Sequence, residues 1–201
     1  MTTVSRYASI EELKERLGIA DVIDDQILGR VLDGVSRLID SPTYGGWRFY
    51  TTAADETRYF TAEAGDYCPV HYGLVSATAV SIDESNDRTY TDLWAAGDWE
   101  YDPLNAALDG RPYTGIRRHP NGTHSFYAGL NRVRIVGKFG WPVLPDVVRE
   151  ATLIQAVRIF KRKDSPFGVS GPNQMGALVM IDKLDPDVVQ LIAGVKRLGF
   201  G

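Results

Sequence analysis

The sequence predicts an α+β fold: a small helical bundle formed by the N- and C-terminal segments, with a large antiparallel β insertion between the helices. Near both ends of the chain, apolar residues recur at spacings of three and four, as on one face of a helix. Of the 21 aromatic residues, 17 lie between positions 41 and 145, a bias that favours strands. We therefore expect a helical domain, residues 1–44 and 142–201, and an inserted β domain, residues 45–141.

The first two helices carry start and stop signals. Ser9 and Glu12 have the spacing of a capping box, and Gly18 supplies a left-handed stop. Asp24 is the expected N-cap of a second, longer helix that ends near Asp40. One predicted face of this helix holds all of its apolar residues: Ile27, Leu28, Val31, Leu32, Val35, Leu38 and Ile39.

Two glycines interrupt the second predicted helix. Gly29 and Gly34 each cost a helix about 1 kcal/mol relative to alanine. They either mark close contact with another helix or are tolerated surface glycines, and the sequence leaves both interpretations open.

The middle of the chain has the pattern of short strands separated by turns. Residues 132–136 alternate polar and apolar side chains, as in a strand with one buried face. Turn formers such as Asn121-Gly122 separate the segments. Residues 102–131 carry no strand signal, because glycine, proline and asparagine break the periodicity there. The predicted strands are residues 47–52, 57–61, 74–82, 89–94, 99–101 and 132–139.

The C-terminal part returns to helical spacing. Pro145 and Asp146 predict the start of a third helix that runs to about Lys163. Asp185 is expected to cap a last helix, which Gly199 ends.

Composition excludes several classes of protein. The 201 residues include 22 Lys and Arg against 26 Asp and Glu, and a net charge of -4 has the wrong sign for a dedicated nucleic-acid binder. The one cysteine, Cys68, excludes an intramolecular disulfide. No apolar run approaches the ~20 residues that a membrane span needs, and no secretory leader is recognisable, so we expect cytosol-like conditions.

No group of residues predicts a metal site. His119 and His124 flank the Asn121-Gly122 turn, but no cysteine or carboxylate stands at zinc-ligand spacing from them. A solvated hairpin end is the favoured interpretation, and a hydrolase centred on these two histidines is a minor alternative. The aspartates at 182, 185 and 187 lack the glycine and glutamate of a calcium loop, which favours helix capping.

The sequence also predicts no catalytic residue and no cofactor. Cys68 stands beside Pro69 without a CxxC motif or an identifiable base, which favours a half-buried side chain over a reactive thiol. Gly137-Lys138 lacks the upstream glycine and the following Ser or Thr of a phosphate-binding loop. We therefore expect a protein that is not an enzyme.

Two C-terminal features indicate an interface. The only basic cluster comprises Arg158, Lys161, Arg162 and Lys163. It either stabilises the C-terminus of the third helix or faces phosphates or an acidic partner. A Gly/Pro/Ser-rich loop at 165–176 leads into an apolar stretch at 177–181, which is either a core segment or an arm that orders against a neighbouring subunit.

The order of motifs along the whole chain resembles the head-tail adaptor (connector) proteins of tailed bacteriophages. The motifs are structural rather than catalytic, and their order is the distinctive feature. They are YASIEEL at 7–13, RLID at 37–40, RFY at 48–50, GKFGW at 137–141, PDV at 145–147, EA at 150–151, RIFKR at 158–162 and SPFG at 165–168.

The resemblance implies a structural virion protein at the head-tail junction, assembled in the cytoplasm of the bacterial host. It implies a homo-oligomeric, dodecameric ring that binds the portal protein above and a downstream neck or tail protein below. DNA passing through the channel would make only transient, non-specific contacts, and no membrane is involved. The residues that it implies at the portal or neighbour interface are Arg158, Lys161, Arg162, Lys163, Phe167, Val179 and Met180.

Compact members of that family carry less between the helices than the roughly 100 residues of this chain, so the role of the β insertion stays open. Two alternatives remain. The chain is another neck component, a stopper or tail-completion protein, or its Trp- and Tyr-rich middle part is a carbohydrate-binding module.

Overall fold

The computed structural model describes residues 6–41, 43–62, 65–162 and 184–196. This part of the chain contains four helices and a six-stranded antiparallel sheet, which confirms the α+β class. The helices are α1 (Ile10–Leu17), α2 (Asp25–Asp40), α3 (Asp146–Lys161) and α4 (Pro186–Ala193). The strands are β1 (Glu56–Ala62), β2 (Tyr67–Ile82), β3 (Asp92–Trp94), β4 (Trp99–Asp102), β5 (Tyr113–Arg118) and β6 (Gly129–Phe139).

The chain divides into two compact units. The described residues of 1–46 and 144–201 form the helical unit, and those of 47–143 form the β unit. Both boundaries lie two residues after the positions that the sequence predicts. The helical unit is therefore made from the two ends of the chain.

Local signals set the start and end of α1. The Ser9 hydroxyl accepts a hydrogen bond from the Glu12 amide at 3.1 Å, and the Glu12 carboxylate accepts one from the Ser9 amide at 2.7 Å. Gly18 ends the helix in the left-handed region, with φ of 69°. Both predicted signals are confirmed, because each depends on residues within one or two turns of one another.

In the helical unit, α3 contacts each of the other three helices. The helix is apolar on most sides, as expected for an element with neighbours around it. Four side chains of α2 form its buried row and are at most 1% exposed: Leu28, Leu32, Val35 and Ile39. Two surface ion pairs also connect the helices, Lys14 with Asp25 and Arg16 with Glu150.

The sheet of the β unit has the strand order β1-β6-β2-β5-β4, and β3 pairs with β2. One face of this sheet carries the core, because alternate residues of each strand point to the same side. The fully buried side chains of that core include Cys68, Leu74, Val80, Ile82, Ile116, Val133, Ile135 and Phe139.

One strand prediction is wrong, and one strand lies where the sequence predicted none. Residues 47–52 do not form a strand; only Thr51 forms an isolated bridge, with Gly140. The aromatic residues of that segment pack on a ring instead, since Trp47 and Phe49 lie 5.5 and 5.1 Å from Trp141 between ring centroids. Conversely, β5 lies within the stretch where the sequence shows no strand signal.

Several boundaries also differ from the prediction. Strand β2 begins at Tyr67 rather than at Leu74, and β3 begins at Asp92 rather than at Thr89. Ahead of β3, the buried carboxylate of Asp83 accepts hydrogen bonds from the amides of Asp87 and Arg88, at 3.1 and 2.9 Å. The Asp83 amide still donates to the Arg132 carbonyl of β6 at 2.9 Å, and β3 begins only at Asp92, after this turn.

Candidate interface surfaces

Arg158, the first residue of the predicted basic cluster, lies at the junction of α3 and α4. Its guanidinium pairs with the Asp185 carboxylate at 2.5 Å, and both side chains are about one-quarter exposed. Asp185 also caps α4 by accepting from the Asp187 amide, and its own amide donates to the buried Gln155 side chain. The charge of Arg158 is therefore compensated inside the helical unit, and the predicted capping role of Asp185 is confirmed.

The next two members of the cluster lie at the C-terminus of α3. Lys161 is exposed, and Arg162 is half-buried and forms the C-cap of the helix. Cations at this end are favoured by the helix dipole. Lys163, Phe167, Val179 and Met180 lie outside the described residues, as do Asp182 and Gly199. The last helix ends at Ala193 with Gly194 as its C-cap, so the prediction that Gly199 ends it is wrong.

Replacing Asp185 with alanine is expected to lower the free energy of unfolding by about 1–2 kcal/mol, since it removes a helix cap and leaves Arg158 unpaired at a part-buried position. Urea denaturation measures the change. Lys161→Ala is the matched control and should stay within about 0.5 kcal/mol of wild type, because this side chain is exposed. Equal stabilities of the two variants would contradict the structural role of the Arg158–Asp185 pair.

His124 lies in a polar group of the β unit. Its Nδ1 is 3.3 Å from the Asp92 carboxylate and its Nε2 is 3.6 Å from the Asp98 carboxylate. Its ring also contacts the Trp94 ring in a tilted arrangement, with 5.3 Å between centroids. Among the described residues, no group of three or more His, Cys, Asp or Glu side chains is arranged to hold a metal ion.

His119 has a different environment. Its Nδ1 accepts from the Asn121 amide at 3.3 Å, and its own amide donates to the Asp98 carbonyl at 2.8 Å. These contacts close the turn that the sequence predicts around Asn121-Gly122. Both histidines therefore make contacts that organise the same end of the β unit.

Cys68 is fully buried on the core face of β2, opposite Ile116 on β5. Burial raises the pKa of its thiol to about 12, because the low-dielectric surroundings disfavour the thiolate. Thiolates are the reactive form of cysteine. The geometry therefore favours the packing role, and the burial is complete rather than half.

The aromatic residues of the β unit are mostly covered. Trp47, Trp94 and Trp141 are each at most 8% exposed, and Trp99 is half-buried. Among the described aromatic side chains, the most exposed are Tyr59 and Tyr72. A sugar-binding platform needs an open ring face, which the three buried tryptophans do not provide, whereas Trp99, Tyr59 and Tyr72 keep part of their rings exposed.

No protein-family model matches the chain, and no curated protein has a significantly similar sequence. In the ranges that the structure describes, no helix is long and apolar enough to span a bilayer.

Proposed function

We propose that this protein is a head-tail adaptor of a tailed bacteriophage. It is a structural virion protein that forms a ring beneath the portal protein and extends the DNA channel toward the tail. The observation that carries the proposal is the order of structural motifs along the chain, from YASIEEL at residues 7–13 to SPFG at 165–168. The helical unit, made from both ends of the chain, supports it.

The portal-facing surface is placed at the C-terminal end of α3. Asp185 neutralises Arg158, and one guanidinium nitrogen of Arg162 is buried. The cations proposed to face an acidic partner are therefore Lys161, the exposed part of Arg162, and Lys163 in the sequence that follows. This basic end belongs to a chain of net charge -4, so it is electrostatically distinct from the rest. Complementary charge speeds and orients docking. Phe167, Val179 and Met180 complete the proposed interface.

The acidic balance of the chain also suits a DNA conduit. Tight binding of DNA depends on lysine and arginine contacts to phosphates, and each such contact would retard passage. A chain with more carboxylates than cations makes few of them. The cargo therefore passes with transient contacts only.

The direct test is cryo-electron microscopy of virions that carry a small tag at the N-terminus of this protein. Tag density in a ring directly under the portal is the expected result. Density lower in the neck would assign the protein as a stopper or tail-completion protein. Absence from the virion would reject both assignments and make the carbohydrate-binding module the leading hypothesis.

Charge reversal at the basic end supplies a biochemical test. Lys161→Glu is expected to weaken binding to the purified portal protein about tenfold, with a smaller effect at high salt, because it replaces attraction by repulsion at an exposed position. Surface plasmon resonance measures the affinity. Arg149→Glu is the matched control on the same helix and should bind as wild type does. Equal affinities for all three proteins would place the portal contact elsewhere.

A further inference from the structure

Helix α2 carries a second apolar row beside its buried one. Ile27 and Leu38 are 45% and 36% exposed, and Val31 between them is half-buried. With Gly34, these residues follow one another at spacings of four, three and four, which is the seam pattern of packed helices. We call Ile27, Val31, Gly34 and Leu38 the α2 stripe. It runs over twelve residues, or about 16 Å along the helix.

Gly34 lies in the middle of the α2 stripe and is open. Among the described residues, no heavy atom beyond its own chain neighbours and helix backbone comes within 4 Å of where its Cβ would be. Gly29, in contrast, has the guanidinium of Arg6 3.0 Å from that position. Gly29 therefore accommodates a neighbour within the chain, whereas Gly34 leaves a gap that a partner's side chain can fill.

The flank of the α2 stripe is basic. Arg30 is exposed and makes no ion pair with the described residues, whereas Arg37, at the same flank one heptad later, pairs with Asp40 at 3.0 Å. The chain as a whole has a net charge of -4. A second copy therefore offers complementary charge, such as the exposed carboxylates of Glu11 and Glu15 on α1.

We infer that the α2 stripe is the self-association surface of this protein, where the acidic surface of a second copy packs against Gly34 and beside Arg30. A ring needs such a head-to-tail contact, in which two different patches meet. The inference rests on the proposed function for its expectation of a homo-oligomer. It adds the residues that make the contact.

The test compares wild type with Gly34→Gln by sedimentation velocity, from micromolar to near-millimolar protein. Wild type is expected to gain mass with concentration. Gly34→Gln should stay at 22.2 kDa throughout, because its side chain fills the gap. Its melting temperature should be no lower than that of wild type, since glutamine is the better helix former and meets no neighbour. Ala193→Gln, at an exposed position of α4, is the matched control and should assemble.

A second measurement identifies what covers the α2 stripe. Leu38→Cys introduces an exposed thiol, while the native Cys68 is fully buried and contributes little background. Maleimide labelling of this variant should slow as the protein self-associates. Wild type that stays monomeric, or Gly34→Gln that assembles as wild type does, would overturn the inference. Protection that appears only when portal protein is added would assign the stripe to the portal and would also overturn it.

Failure of the proposed function and failure of the self-association surface give different results. Self-association through the α2 stripe without portal binding would reject the adaptor assignment alone. If wild type and Gly34→Gln are both monomeric and bind portal protein equally well, the self-association surface alone is rejected.

Discussion

Gly140→Ala is expected to destabilise the protein by about 3–5 kcal/mol, a larger loss than we expect from removing the Asp185 cap or from ionising Cys68. Gly140 follows β6 with φ of +110°, a backbone conformation that side chains disfavour. A Cβ there would lie 1.9 Å from the carbonyl oxygen of Tyr50, and backbone cannot swing aside as a flexible side chain can. Strain and overlap therefore add.

Thermal and urea unfolding of purified Gly140→Ala provide the measurement. Gly97→Ala is the matched control, because Gly97 is a loop glycine without positive φ and with open space around its Cβ position. The control should stay within about 0.5 kcal/mol of wild type. A Gly140→Ala protein as stable as Gly97→Ala would show that residues 48–50 do not press against this glycine as described.

The second large effect is a loss of stability at alkaline pH that depends on Cys68. The pKa of this thiol rises from a reference value of 9.0 to about 12 in the folded protein, because burial disfavours the thiolate. As the pH rises, this thiol therefore ionises first in the unfolded chain. Its contribution to the stability of the folded state is complete below about pH 9 and is lost as the pH rises toward 12. Between about pH 9 and pH 11 its contribution should fall by about 2 kcal/mol.

Urea denaturation at several pH values isolates this contribution when wild type is compared with Cys68→Val. Both proteins lose stability as tyrosines and lysines titrate, but wild type should lose more, by the amount that Cys68 accounts for. The quantity compared is the slope of the unfolding free energy against pH. A packing cost of valine that does not depend on pH therefore cancels. Parallel slopes would mean that the thiol ionises with equal ease in the folded and unfolded chain.

Local patterns predicted much of the fold. The capping box at Ser9 and Glu12, the stop at Gly18 and the cap at Asp185 each involve groups within a few residues of one another, and all three are confirmed. Alternation over residues 132–136 likewise predicted the core strand β6. Such signals survive in the folded protein because no distant contact is needed to satisfy them.

Long-range contacts account for the wrong strand prediction and for the strand that the sequence did not predict. The segment at 47–52 has strand-like composition, yet its aromatic rings pack on Trp141, about ninety positions away. Strand β5 is a strand because β2 and β4 hold it on both sides, although its own sequence lacks periodicity. Composition near a residue cannot report a partner that folding brings from elsewhere.

The interface residues show the same division. The sequence identified Arg158 as part of a basic cluster, but only the folded chain brings Asp185 beside it from the other side of a long intervening segment. The sequence also predicted one apolar face for α2 that contains all of its apolar residues. In the folded chain, packing against α3 buries only the row from Leu28 to Ile39. The α2 stripe appears only when the buried row is known.

By itself, then, the sequence determined the α+β class, both ends of α1 and the cap that begins α4, because hydrophobic period and capping act over one or two turns. The tertiary structure alone decided which charges are compensated, which glycines are crowded and which apolar side chains of α2 stay exposed. These properties depend on distances between residues far apart in the chain, and such distances exist only after the helices and strands have packed.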